Sequence, residues 1–292
     1  MTATVFTPKQ VAQALGVSES SVKRWVDNGK LRAAKTAGGH RKVPLPSLVH
    51  FIRETGHEVV EPALVGMAGT GSPGSLAASC DRLFDDLVAG KEAPCRELVL
   101  SYYQSGESIQ AIGDELIGPV FTRIGDAWAE GTVQVHQERR ACEIAMAVLH
   151  ELRRWLPAPA DDAPLAVVAT PSQDFAEVPA RLVELVLVSL GWQSVVLGSG
   201  LPLEEIRGAI GRHQPRLVCL SAVHLENADA FVANCNSELI EPLREAENDA
   251  TPEIVVGGRA FDCTDVTRLE CDLFAKDLAT LVSHLEKLPE TA

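Results

Sequence analysis

Long apolar runs are missing from this chain of 292 residues. No uninterrupted stretch of about 18 apolar residues occurs, and no basic start leads into a short apolar segment, so neither a membrane span nor a secretory leader is supported. No membrane partner is expected, and the cytoplasm is the expected compartment. Cysteine pairs are missing as well. Cys80, Cys95, Cys142, Cys219, Cys235, Cys263 and Cys271 stand singly, with no Cys-x-x-Cys and no metal-type spacing. They read as reduced, packed thiols rather than disulfides or metal ligands. No nucleophile-base pair, metal cluster or phosphate loop is visible, so no catalytic residue is assigned and no enzyme is expected.

What is present is a basic head on an acidic body. The chain carries a net charge of −14, with 46% apolar and 23% charged residues, enough to bury more than one core. Residues 1–57 hold nine Lys or Arg against three Asp or Glu, a local net of +6, which leaves −20 for the remainder. A polyanion met only by the head accounts for that asymmetry, and the acidic body discourages nonspecific coating of DNA.

The head has readable local signals. Thr7-Pro8-Lys9-Gln10 combines an N-cap hydroxyl, proline at the first helical position and glutamine at the third. A short helix with Val11, Ala14 and Leu15 inward is predicted, ended by a turn at Gly16. Ser18 caps a second helix, residues 19–28, on which Val22, Trp25 and Val26 recur at helical spacing. Trp25 therefore reads as core rather than as a base-stacking ring. Gly38-Gly39, flanked by Lys35, His40, Arg41 and Lys42, suits the turn of a basic hairpin whose side chains reach phosphates.

FTPKQVAQALGVSESSVKRWVDNGKL followed by TAGGHRKV resembles the winged helix-turn-helix of the MerR family. The resemblance implies a second helix in the major groove and a wing on the flanking backbone. Carried over by position, Ser20, Ser21, Lys23 and Arg24 become groove-facing candidates, and His40, Arg41 and Lys42 become wing contacts. The implied partner is a double-stranded DNA operator.

Three further segments follow. Residues 58–75 are rich in glycine and small residues without a clean period, and read as a flexible linker. No sustained heptad pattern follows, so a homo-oligomer, dimer or tetramer, is expected to form through another region. Residues 76–160 show four amphipathic segments with short connections, a four-helix bundle. Residues 161–292 alternate short apolar strands with helices, as a parallel sheet covered on both faces requires. The expected fold class is multidomain: a winged helix-turn-helix (1–57), a helical bundle and an α/β flavodoxin-like domain.

This order of domains resembles the CarH/LitR-type repressors, which join a MerR-type head, a four-helix cap and a cobalamin domain, and use adenosylcobalamin as a light sensor. In that family a loop Asp/Glu-x-His-x-x-Gly supplies the lower cobalt ligand. Here it reads Asp174-Phe175-Ala176-Glu177-Val178-Pro179, with alanine in the histidine place and proline in the glycine place. Ala176 has no lone pair to donate. Ser221-Ala222-Val223 and Gly257-Gly258 occupy the places of later family segments, and each also has a plain structural reading, a strand end and a tight turn. In the cap, Trp128 precedes Glu138 at the family spacing, but Arg139 and Ala129 stand where histidines are found.

Trp128, Glu138, Arg139, Asp174, Ala176, Ser221, Gly257 and Gly258 are thus the ligand-cavity candidates, with no metal site. Arg139 is expected either on the helix surface or facing a carboxylate-bearing ligand. His136 and His224 fall near the same segments, where a lone histidine is more often a surface residue. The combined expectation is a sequence-specific transcriptional regulator, a repressor by resemblance. It has lost ordinary cobalamin coordination and binds no cofactor, or another tetrapyrrole-like ligand instead, and acts independently of cobalamin or through a partner. The alternative is an adenosylcobalamin-dependent light-sensing repressor with a non-canonical binding mode.

Overall fold

The computed structural model describes residues 4–35, 38–67, 74–245, 251–262 and 265–288. They fall into two compact units, Met1–Pro157 and Ala158–Ala292.

The first unit begins with β1 (Val5–Phe6) and α1 (Pro8–Ala14). The Gln10 amide donates to the Thr7 hydroxyl at 3.2 Å, and the Thr7 amide donates to the Gln10 side chain at 2.9 Å, so two orphan donors of the helix start are satisfied reciprocally. Gly16 then takes φ +62°, a left-handed turn that glycine adopts without strain. The next helix, α2 (Glu19–Asp27), starts on Ser18, whose side chain accepts from the Ser21 amide at 3.1 Å. β2 (Ala34–Lys35) and β3 (Arg41–Pro44) pair antiparallel, and β1 adds to the other edge of β3. α3 (Leu45–Thr55), which periodicity in the head did not suggest, buries Leu45, Leu48, Val49, Phe51 and Ile52 and closes the core over Val11, Val22 and Val43.

Residues 58–67 depart from the expected flexible linker. The amides of Val60 and Glu61 donate to the Ala14 carbonyl at 2.7 and 3.1 Å, a 3₁₀ turn covers Pro62–Val65, and Val59, Val65 and Met67 are buried. Three apolar side chains without a period were enough to fasten this stretch to the head. Residues 68–73 of the expected linker lie outside the described residues.

The bundle consists of α4 (Cys80–Val88), α5 (Glu92–Gln104), α6 (Ile109–Ile112), α7 (Gly118–Ala129) and α8 (Val135–Trp155). α6 and α7 are joined by a π turn at Gly113–Ile117. The longest helix, α8, buries Ala141, Ile144, Ala145, Val148, Leu149, Leu152 and Trp155 along one stripe. Each fully buried leucine there contributes about 2 kcal/mol.

The second unit is a five-stranded parallel sheet built from β4 (Leu165–Ala169), β5 (Gln193–Val196), β6 (Leu217–Ser221), β7 (Glu253–Gly257) and β8 (Leu273–Ala275), in the order β5-β4-β6-β7-β8. Its helices are α9 (Glu177–Ser189), α10 (Leu203–His213), α11 (Ala228–Asn234), α12 (Glu241–Glu245) and α13 (Leu278–Leu285). A π segment, Cys235–Ile240, joins α11 to α12. This is the flavodoxin-like 2-1-3-4-5 order, in which the chain reverses direction across the sheet between β4 and β6. Ligands of such sheets bind at the carboxyl ends of the strands beside that switch point.

Candidate functional site

The reading face of the head is built on α2. Lys23 and Arg24 are exposed on it, Lys23 in an i,i+4 ion pair with Glu19 at 2.8 Å. Arg24 has no side-chain partner among the described residues. Ser20 and Ser21, both groove candidates, are engaged with the helix cap: their hydroxyls lie 2.8 and 3.0 Å from the Ser18 hydroxyl. Trp25 packs against Phe51 at a ring-centroid distance of 4.8 Å and against His57 at 4.9 Å, in line with a core role.

The wing is tied to the reading helix. Arg41, half-buried on β3, bonds Asp27 at the end of α2, so its charge is shared with a carboxylate before any phosphate is met. Lys42 is half-buried beside it and His40 is exposed in the turn. Arg41 therefore fixes the angle between wing and helix, a role the sequence did not reveal because the pair spans 14 residues.

In the second unit, the loop after β4 is organised by Asp174. This carboxylate is buried, and it accepts from the amides of Ala176 at 2.9 Å, Val223 at 2.5 Å and His224 at 3.4 Å. Val223 and His224 follow β6, so Asp174 bridges the ends of β4 and β6 across the switch point. Ala176 is the N-cap of α9 and offers no side-chain cap bond. Phe175 is 65% exposed, and its ring covers Gly200, where a Cβ would approach its Cε1 to 2.7 Å.

Gly257 and Gly258 have a structural cause. A Cβ on Gly257 would come within 2.3 Å of the Ala275 carbonyl oxygen, and one on Gly258, at φ +115°, within 2.1 Å of the Ala222 carbonyl oxygen. Ser221 is buried opposite Gly257 in the β6–β7 register. These three residues pack strand ends together at the same edge as Asp174.

On the bundle, Trp128 and Val135 are exposed large apolar residues near the α7–α8 connection. Glu138 is half-buried, 3.4 Å from the Arg139 Nε, and accepts from the Cys142 thiol at 3.3 Å. Arg139 itself is 66% exposed. Burial and the neighbouring Glu138 push the Cys142 thiol up to about 12. Among the described residues there is no group of three or more His, Cys, Asp or Glu side chains that could hold a metal ion.

With this geometry in view, two family matches are decisive. Residues 5–56 match the helix-turn-helix domain and residues 79–153 match the B12 binding domain. The chain joins a helix-turn-helix domain to a B12-binding domain. The chain is 24% identical over 259 residues to the HTH-type transcriptional repressor CarA of Myxococcus xanthus, across 86% of this chain and 85% of the relative. The monomethylamine corrinoid protein of Methanosarcina barkeri matches with 21% identity and a TM-score of 0.56, over 73% of this chain and all of that one, which shows a shared fold.

These matches correct one expectation. The sequence pointed to no cofactor, or to another tetrapyrrole-like ligand, because only the coordinating positions were weighed. Residues 79–153 match the B12 binding domain, and the fold is shared with a corrinoid protein, so the matches point to a cobalamin-binding fold where no cofactor was expected. Position 176 of the loop after β4 does not fit a cobalt ligand, because alanine has no lone pair to donate.

Proposed function

We propose that this protein is a sequence-specific, MerR-like transcriptional regulator, a repressor, whose B12-binding module accepts a corrinoid without a cobalt ligand from the loop after β4. The exposed Lys23–Arg24 face of α2, braced by the Arg41–Asp27 pair, is the observation that carries the DNA-binding part. Ala176 carries the rest. Were a corrinoid bound, position 176 would supply it no nitrogen.

The protein works as a homo-oligomer on a repeated or palindromic operator, in the compartment that holds the DNA, the cytoplasm. It performs no catalysis of its own. The acidic body keeps the basic head as the part that meets phosphate.

Gel shifts on an operator selected from random DNA test the first part. Arg24→Ala is expected to lower specific affinity about tenfold or more, and Lys42→Ala to weaken binding across sequences with a shallower salt dependence. Unchanged affinity in both variants would remove the assignment. Electron paramagnetic resonance of the reduced corrinoid in ¹⁵N-labelled protein tests the second. A cobalt nitrogen coupling that is absent, or unaltered by the label, is expected, whereas a coupling that changes with the label would put a protein nitrogen on cobalt.

A further inference from the structure

A cavity of about 120 Å³ lies under the start of α9, on the flank facing β5, lined by Thr170, Glu177, Ala180, Arg181, Val196 and Gly198. Its polar groups are unusually idle. The Thr170 hydroxyl is fully buried and has no hydrogen-bond partner among the described residues, and the Arg181 Nε is likewise buried and unpaired. Deeper on the same face of β5, two residues before Val196, the Ser194 hydroxyl is buried and unpaired too. A buried polar group without a partner costs about 1–3 kcal/mol, so two of them converging on one void mark a place where a missing partner belongs.

The charges narrow the partner. Arg181 already pairs with Glu184, and the carboxylate of Glu177, which accepts from the Ser199 hydroxyl at 3.2 Å, stands at the cavity wall. An anion would meet Glu177, and a cation would meet the guanidinium. A neutral group suits both. It must accept from the Arg181 Nε–H, engage the Thr170 hydroxyl, and donate to the free lone pairs of Glu177 or to the Gly198 carbonyl, which receives the Thr170 amide at 3.1 Å. The space is large enough for a small group of a few non-hydrogen atoms. A primary carboxamide has both functions, in one plane, at that size.

We propose that this cavity is a binding subsite for a primary carboxamide. Thr170 follows β4 and Gly198 follows β5, so the cavity opens at the carboxyl edge of the sheet, where the Asp174 loop stands. The amide belongs either to a side arm of a corrin ring lying over that edge, a source that rests on the corrinoid reading above, or to a free small amide.

Full-length protein and its Thr170→Val and Arg181→Lys variants are titrated with cyanocobinamide, a corrin with amide arms and no nucleotide tail, and separately with propionamide. Thr170→Val is shape-preserving and removes an unpaired hydroxyl, so the unliganded variant should melt no lower than wild type. It should nonetheless bind the amide-bearing probe about tenfold more weakly, one hydrogen bond's worth. Weakened cyanocobinamide binding assigns the subsite to a corrin arm. Propionamide binding that depends on Thr170, with no cyanocobinamide binding, keeps the subsite and removes the corrinoid reading. Cyanocobinamide binding indifferent to both substitutions overturns the subsite and leaves the corrinoid reading standing. Binding of neither probe to wild type overturns both.

Discussion

The guanidinium of Arg53 lies 4.0 Å from the centroid of the Tyr103 ring. Arg53 sits in the last turn of α3 and Tyr103 in the last turn of α5, so this contact fastens the DNA-reading head to the bundle. Arg53 also donates to the carbonyls of Tyr103, Gly106 and Glu107, the last two at 3.2 and 3.0 Å. These carbonyls lie at and just beyond the C-terminal end of α5, where a cation is favoured by the helix dipole as well. Burial lowers the Arg53 pKa, partly offset by the field of Tyr103 and Glu107, and the group stays charged.

Arg53→Met keeps much of the side-chain volume and removes every one of these bonds. Loss of charged hydrogen bonds of this kind is expected to cost about 2 kcal/mol. Hydrogen exchange should rise in α3 and at the end of α5 while β4 to β8 are unaffected. Uniform exchange in the variant and wild type would show that the head is held by other contacts.

Asp174 gives a second prediction. Asp174→Ala strands the amides of Val223 and Ala176 and is expected to destabilise the second unit by about 2–4 kcal/mol in denaturant unfolding. Asp174→Asn retains one acceptor and should lose less. Equal losses in the two variants would contradict the bridging role.

The cysteines are expected to be unreactive. Burial pushes Cys95 up to about 11 and Cys219 and Cys235 up to about 12, and Cys142 is raised as far. At pH 8 almost none of these thiols is ionised. Iodoacetamide labelling of the native protein, read by mass spectrometry, should spare all four, and rapid labelling of any would sink the packed-thiol account. Cys263 lies outside the described residues.

Asp277 caps α13, accepting from the Thr280 amide at 2.7 Å and the Thr280 hydroxyl at 2.5 Å. The Thr280 hydroxyl bond, the largest cause, holds the Asp277 carboxyl below its usual value; burial opposes it, and the Thr280 amide bond and the Lys276 charge add to the lowering. A folded-state value below the unfolded one means that the stabilisation is complete above the unfolded value and fades as pH falls through the folded one. Asp277→Ala should cost about 1 kcal/mol at pH 7. Wild type and variant should converge in stability as Asp277 is protonated, and a gap that persists in acid would reject the assignment.

Much of this was legible because it is local. The Thr7 and Ser18 caps, the Gly16 turn and the period of α8 lie within a few residues of the structure they specify. The strands β4, β5, β6 and β7 were legible as apolar runs, whereas β8, three half-buried residues, is too short to stand out as one. The linker was misread because Val59, Val65 and Met67 find their burial against a distant segment. The pairing of Arg41 with Asp27, the reach of Asp174 to Val223 and the idle hydroxyl of Thr170 all depend on residues brought together by the fold. The cofactor expectation failed for a related reason. A single position such as Ala176 governs coordination, but recognition of a macrocycle is spread over whole surfaces.

The central claim is that the α2 face reads a defined DNA sequence. Footprinting of the full-length protein on fragments of its own genome, at moderate salt and with an Arg24→Ala control, tests it most directly. The account expects discrete protected sites made of repeated half-sites, lost in the control. Diffuse protection that follows salt alone and is shared by the control would contradict it.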